Sequence, residues 1–81
     1  MAVANQSERV IGLAKLVSQV ETMVRESGDP TGFDAARWVS AWINQPNPAL
    51  GGRRPIELMG TVTGQEVVSG LLARMQSGAY A

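Results

Sequence analysis

Apolar positions along this chain recur at helical spacing. Between Ser7 and Ser27 they fall at Val10, Leu13, Ala14, Val17, Val20 and Val24, a stripe with the period of an α-helix. Leu16 and Met23 broaden it until the apolar face covers about half the circumference, more than the ~100° that one core requires. One side of this face is expected to complete the domain core, and the side carrying Leu16 and Met23 to meet a second copy of the chain. Asn5 with Glu8 three residues on has the form of a capping box, and Gly28 before Asp29-Pro30 stops the helix. A second helix is predicted from Asp34, as N-cap, to about Asn44, with Trp38, Val39, Trp42 and Ile43 on one face. The two tryptophans read as core anchors, the alternative being a surface hot spot for a partner. Pro55 to Met59 makes one or two further turns, ended by Gly60. Thr63-Gly64-Gln65-Glu66 matches the S/T-x-x-E box, so the last helix is expected over about Gly64 to Ser77. Its stripe is Val67, Val68, Leu71, Leu72 and Met75, and Gly78 is its C-cap. No segment reads as a strand. The pattern predicts an all-α fold, a small bundle of about four helices with a Pro/Gly-rich corner between the second and third.

That corner, Asn47-Pro48-Ala49-Leu50-Gly51-Gly52-Arg53-Arg54-Pro55, is the most closely specified stretch of the chain. Pro48 disfavours helix at Asn47 and has no N–H to give. Gly51 or Gly52 is expected at positive φ. Pro55 suits the first turn of a new helix, where a missing N–H is harmless. Arg53 and Arg54 therefore stand at a helix entry. They are either solvated side chains of a turn or contacts for a DNA phosphate or an acidic partner, and the residues alone do not choose. A phosphate-binding P-loop is excluded because its Lys and Ser/Thr are missing.

Composition narrows the chemistry. The chain has 81 residues and a formal net charge of zero, so no overall basic field draws it to nucleic acid. It has no Cys and no His, which removes disulfides, thiolate metal sites and the commonest general base and transition-metal ligand. Its carboxylates are scattered, and Asp34 and Glu66 already serve as helix-capping residues. The expectation is therefore no catalysis, no metal and no cofactor. The first nine residues lack the pattern of a signal peptide, and no apolar run approaches a membrane span. A small cytoplasmic protein is the expectation.

Trp42-Ile43, the string from Pro46 to Pro55, Leu58-Met59, Thr61, Gly64, Val67-Val68, Leu71-Leu72, Arg74 and Gly78-Ala79-Tyr80-Ala81 together resemble the toxin-binding domain of Xre/MbcA/ParS-type antitoxins. The resemblance covers roughly Asp34 to Ala81. It implies the antitoxin of a bacterial type II toxin–antitoxin pair, whose partner is a RES-domain toxin that attacks NAD or uses it for ADP-ribosylation. It further implies that the C-terminal region covers the toxin's active-site entrance. Carried onto this chain, the toxin contacts are Arg53, Arg54, Arg74, Tyr80 and the Ala81 carboxylate. Trp42, Pro48, Leu50, Gly51, Gly52, Pro55 and Gly78 are implied to be mainly structural. Ile43 stands where the family often has Leu.

The expected organisation is an N-terminal helix over 1–33, for core completion or dimerisation, and a toxin-binding unit over 34–81, the two forming one compact domain. Many relatives carry a helix-turn-helix domain ahead of this module. The residues before Asp34 hold one helix and no basic recognition face. DNA is therefore expected only in the toxin–antitoxin complex, with the chain in a homo-oligomer or a hetero-oligomer with its toxin. The alternative function is a small dimeric DNA-binding autoregulator acting through Arg53 and Arg54.

Overall fold

The computed structural model describes residues 5–77. In order along the chain come α1 (Gln6–Ser27), α2 (Ala35–Ile43), a first 3-10 turn (Pro48–Leu50), a second 3-10 turn (Pro55–Leu58) and α3 (Val62–Ser77). No strand occurs among the described residues, so the fold is all-α. No helix among them is long and apolar enough to cross a membrane.

Local chemistry sets the helix ends. At α1 the reciprocal box is present: Glu8 N–H donates to Asn5 Oδ1 at 2.7 Å and Asn5 N–H to Glu8 Oε1 at 2.9 Å. Gly28 N–H closes the far end on the Val24 carbonyl at 2.9 Å. Asp34 caps α2 by accepting from Arg37 N–H at 3.0 Å. α3 opens two residues earlier than the Thr63 box predicts. Thr61 Oγ1 accepts from Gly64 N–H at 2.9 Å, and Thr63 lies exposed within the first turn. Both threonines offer a capping hydroxyl. Starting from Thr61 carries Gly64 into the helix body, where it meets the second 3-10 turn. A Cβ at Gly64 would collide with the Leu58 carbonyl, so only glycine allows α3 to lie this close.

The core gathers Leu16 and Val20 of α1, Ala35, Val39 and Ile43 of α2, Met59, and Val68 and Leu72 of α3. α1 thus supplies side chains to the same core as the elements beyond residue 34. Its roll about its axis differs from the sequence expectation. Leu16 is 2% exposed and sits in the core, whereas Val10 is 60% exposed and Ile11 53%. The wide stripe therefore divides along its length and not into the two expected sides: Gly12, Leu16 and Val20, one turn apart, face inward, while Val10, Leu13 and Ala14 stay exposed. Met23 and Val24 pack at the edge of the core. Polar clamps fix this roll. Gln19 Nε2 donates to the Ser69 carbonyl at 3.0 Å while Ser69 Oγ donates to Gln19 Oε1 at 2.8 Å. Gln65 lies over Gly12 and donates to the Met59 carbonyl at 3.0 Å. Periodicity locates a stripe but not the part of it that neighbours cover.

Trp38 and Trp42 stack with ring centroids 6.0 Å apart and 10° between planes. Both are half-buried, packed against the core from its rim. They anchor an edge of the core and leave ring surface in solvent.

A candidate partner-binding surface

Asn47 organises the corner. Its carbonyl accepts from Leu50 N–H and from Gly52 N–H, both at 3.0 Å, and its own N–H donates to the Arg53 carbonyl at 3.0 Å. Its side-chain Oδ1 takes Ala49 N–H at 2.9 Å. One residue therefore serves three main-chain bonds and one side-chain bond, and it closes residues 47–53 into a loop. The loop closes because both glycines take left-handed backbone, Gly51 at φ 67° and Gly52 at φ 86°. Pro48 opens the first 3-10 turn and Pro55 the second. Pro55 is buried, and Leu50 and Trp42 are half-buried. The residues expected to be structural here thus act mainly through backbone geometry, and few of them fill the core.

Arg53 and Arg54 leave this frame side by side, and both turn to Glu57. Arg53 Nε lies 3.6 Å from Glu57 Oε1 and Arg54 Nε 3.7 Å from Oε2. Glu57 Oε2 also accepts from Arg54 N–H at 2.9 Å, which caps the second 3-10 turn. That backbone bond, followed by the charges of Arg53 and Arg54, holds the Glu57 carboxyl below its ordinary value of 4.5. The arginine side chains stay 59% and 50% exposed. Two guanidiniums around one carboxylate leave net positive charge on a surface whose geometry is set in advance.

The corner adjoins a shallow groove of about 320 Å³ between the second 3-10 turn and the start of α3, with Leu58, Gly60, Thr63 and Val67 in its walls and Arg53 at its rim. Val67 is 40% exposed although it belongs to the apolar stripe of the last helix. α3 turns Gly64, Val68, Leu71 and Leu72 inward, which leaves Val67 on the flank. Arg74 lies seven residues beyond Val67, two turns along the same face of α3, exposed in the last turn. Cationic side chains suit a helix C-terminus, where the last carbonyls concentrate negative potential. The structure thus brings Arg53 and Arg54 together and puts Arg74 farther along the adjoining helix face. Gly78, Tyr80 and Ala81 lie outside the described residues.

Asn47, Glu57 and Val67 were not among the predicted contact or structural residues. Two of them carry a readable signal. Asn before Pro at a turn is an Asx-type cap, and Glu57 stands three and four residues after the two arginines. Val67 carries no such signal, because its exposure depends on how α3 is rolled.

An all-α domain of this size, with a Pro/Gly corner closed by its own hydrogen bonds and exposed cations beside an apolar groove, offers a surface that suits a protein partner. The chain belongs to the antitoxin Xre/MbcA/ParS C-terminal toxin-binding domain family, whose profile matches residues 31–78. It is 63% identical over 75 residues to a protein of Sphingobium sp. (strain YBL2) named "Prs ADP-ribosylating antitoxin". Those residues are 93% of this chain and 47% of that relative, so the chain spans about half the relative's length. The match takes in the corner, the groove and α3, and the likeness to the relative extends over α1 as well.

Proposed function

We propose that this chain neutralises a RES-domain toxin by covering its active-site entrance, and that it performs no chemistry itself. The observation that carries this reading is the match of residues 31–78 to an antitoxin toxin-binding domain. The name of the Sphingobium relative, which joins an antitoxin to ADP-ribosylation, supports a toxin that uses NAD. Arg53, Arg54 and Arg74 are the cationic contacts, and Tyr80 with the Ala81 carboxylate forms the C-terminal contact. The protein works in the cytoplasm, where such a toxin finds its NAD. Copies of the chain associate in a homo-oligomer or in a toxin–antitoxin hetero-oligomer. DNA is bound only by the toxin–antitoxin complex, because the zero formal net charge of the chain gives no overall basic field to the autoregulator alternative.

The test is co-expression with a RES-domain toxin, taken from the reading frame beside this gene where one is found there, read as cell growth and cellular NAD. Growth arrest and NAD loss with toxin alone, both prevented by this chain, are expected. Removal of Gly78 to Ala81 should weaken inhibition more than it lowers the melting temperature. Arg53→Ala with Arg54→Ala should mainly weaken complex formation. A full-length chain that leaves NAD loss unchanged overturns the reading.

A further inference from the structure

We infer that the partner lies in a single track from the Arg53 rim, through the groove at Val67, past Gly70 and along α3 to Arg74. Its segment carries an apolar side chain flanked by carboxylates. The inference rests on the reading that the partner is a toxin and deepens it by naming the seat and the chemistry that fills it. Three observations place the track. The groove walls are mostly apolar and Val67 is exposed there, so an apolar group is stabilised by entering. Arg53 stands at the near end and Arg74 at the far end, about 10 Å beyond Val67 at the rise of an α-helix. The near end holds Arg53 and Arg54 around the single carboxylate of Glu57, which also lines the groove, and the far end holds Arg74, so each end keeps a net positive charge that selects acidic groups on the segment spanning them. Between them Gly70 is exposed, and nothing lies within 4 Å of a Cβ built on it. In the middle of a helix an exposed glycine is a poor choice for stability. Here it leaves the helix backbone bare where a partner's chain passes, so the two backbones can approach closely.

Arg53 serves this purpose while paired to Glu57. A guanidinium carries several N–H donors in a planar fork, and its Nε contact with Glu57 orients that fork without using all of them. An incoming carboxylate adds to a side chain already held in place, so less rotamer entropy is lost on binding.

The test measures the dissociation constant for a catalytically inactive RES-domain toxin, with circular dichroism melts in parallel. Val67→Glu puts a like charge in the way of the acidic segment, and Gly70→Gln fills the bare backbone with a better helix former. Val10→Glu, on α1, is the off-track control. Val67→Glu and Gly70→Gln should each weaken binding by about tenfold or more, Gly70→Gln without a fall in melting temperature, and Val10→Glu should bind the toxin as the parent does. If Val67→Glu does not fold, Gly70→Gln decides alone. Parent-like affinity of a folded Gly70→Gln, or an equal loss in Val10→Glu, overturns the track while the toxin reading stands. A parent protein that does not bind the toxin overturns both.

Discussion

The seam between α1 and α3 and the corner at 47–58 are held by different physics. In the seam, Leu16, Val20, Val68 and Leu72 are almost fully buried, and a glycine at 64 brings α3 against the second 3-10 turn. In the corner only Pro55 is buried. Its shape comes from hydrogen bonds that converge on Asn47, from two left-handed glycines and from one carboxylate shared by two arginines. Burial stabilises the seam through apolar area and close packing. The corner contributes little burial and instead fixes where exposed charge stands. A domain that must present a surface to a partner separates these two tasks: the seam keeps it folded and the corner keeps it legible to the partner.

The largest effect that separates the regions is expected at glycines. Gly64→Ala drives a methyl into the Leu58 carbonyl and should destabilise by about 3 kcal/mol or more, or prevent folding. Gly70→Ala, with open space around it, should stabilise by about 0.5–1 kcal/mol. Thermal melts of the two variants that move in the same direction would break the contrast. Next comes the roll of α1. Leu16→Ala should lose about 2–5 kcal/mol, because it empties part of the core, and Leu13→Ala under about half of that, since Leu13 is already 36% exposed. Chemical denaturation that ranks the two the other way would return the stripe to its sequence-based orientation.

The corner should respond more mildly in stability than in binding. Gly52→Val forces a β-branched residue to φ near 86° and should cost about 1–3 kcal/mol, with toxin binding lost in a sample that is still helical. A variant that keeps both parent stability and parent affinity would show that left-handed backbone is not what shapes the surface. The smallest effect concerns Glu57. Its carboxyl is held below its ordinary value in the folded state, so it adds stability at pH above 4.5, and that contribution disappears as the pH falls through the folded value. Glu57→Gln should therefore remove a small part of the stability loss seen on acidification, and the difference from the parent should vanish at the acid end. A pH–stability curve with a constant offset between the two would remove the role given to the shared carboxylate.

Local chemistry determined much of this protein before any packing was known. The capping pairs Asn5–Glu8 and Asp34–Arg37, the stop at Gly28 and the bent backbone at Gly51-Gly52 all depend on residues within a few positions of one another. Such interactions are legible in sequence because they need no distant partner. The family of the domain was legible for a similar reason, since the string from Pro46 to Pro55 is nearly contiguous. The tertiary structure alone decided which half of α1 is buried, that α3 starts at Thr61's cap, and that Val67 lies exposed beside Arg53. Each of these depends on the rotation of one helix against another. That rotation is set by contacts such as Gln19 with Ser69 and Gln65 with Gly12, between residues roughly fifty positions apart. A wide apolar stripe admits several such rotations, and only the close approach at Gly64 and the amide clamps select one.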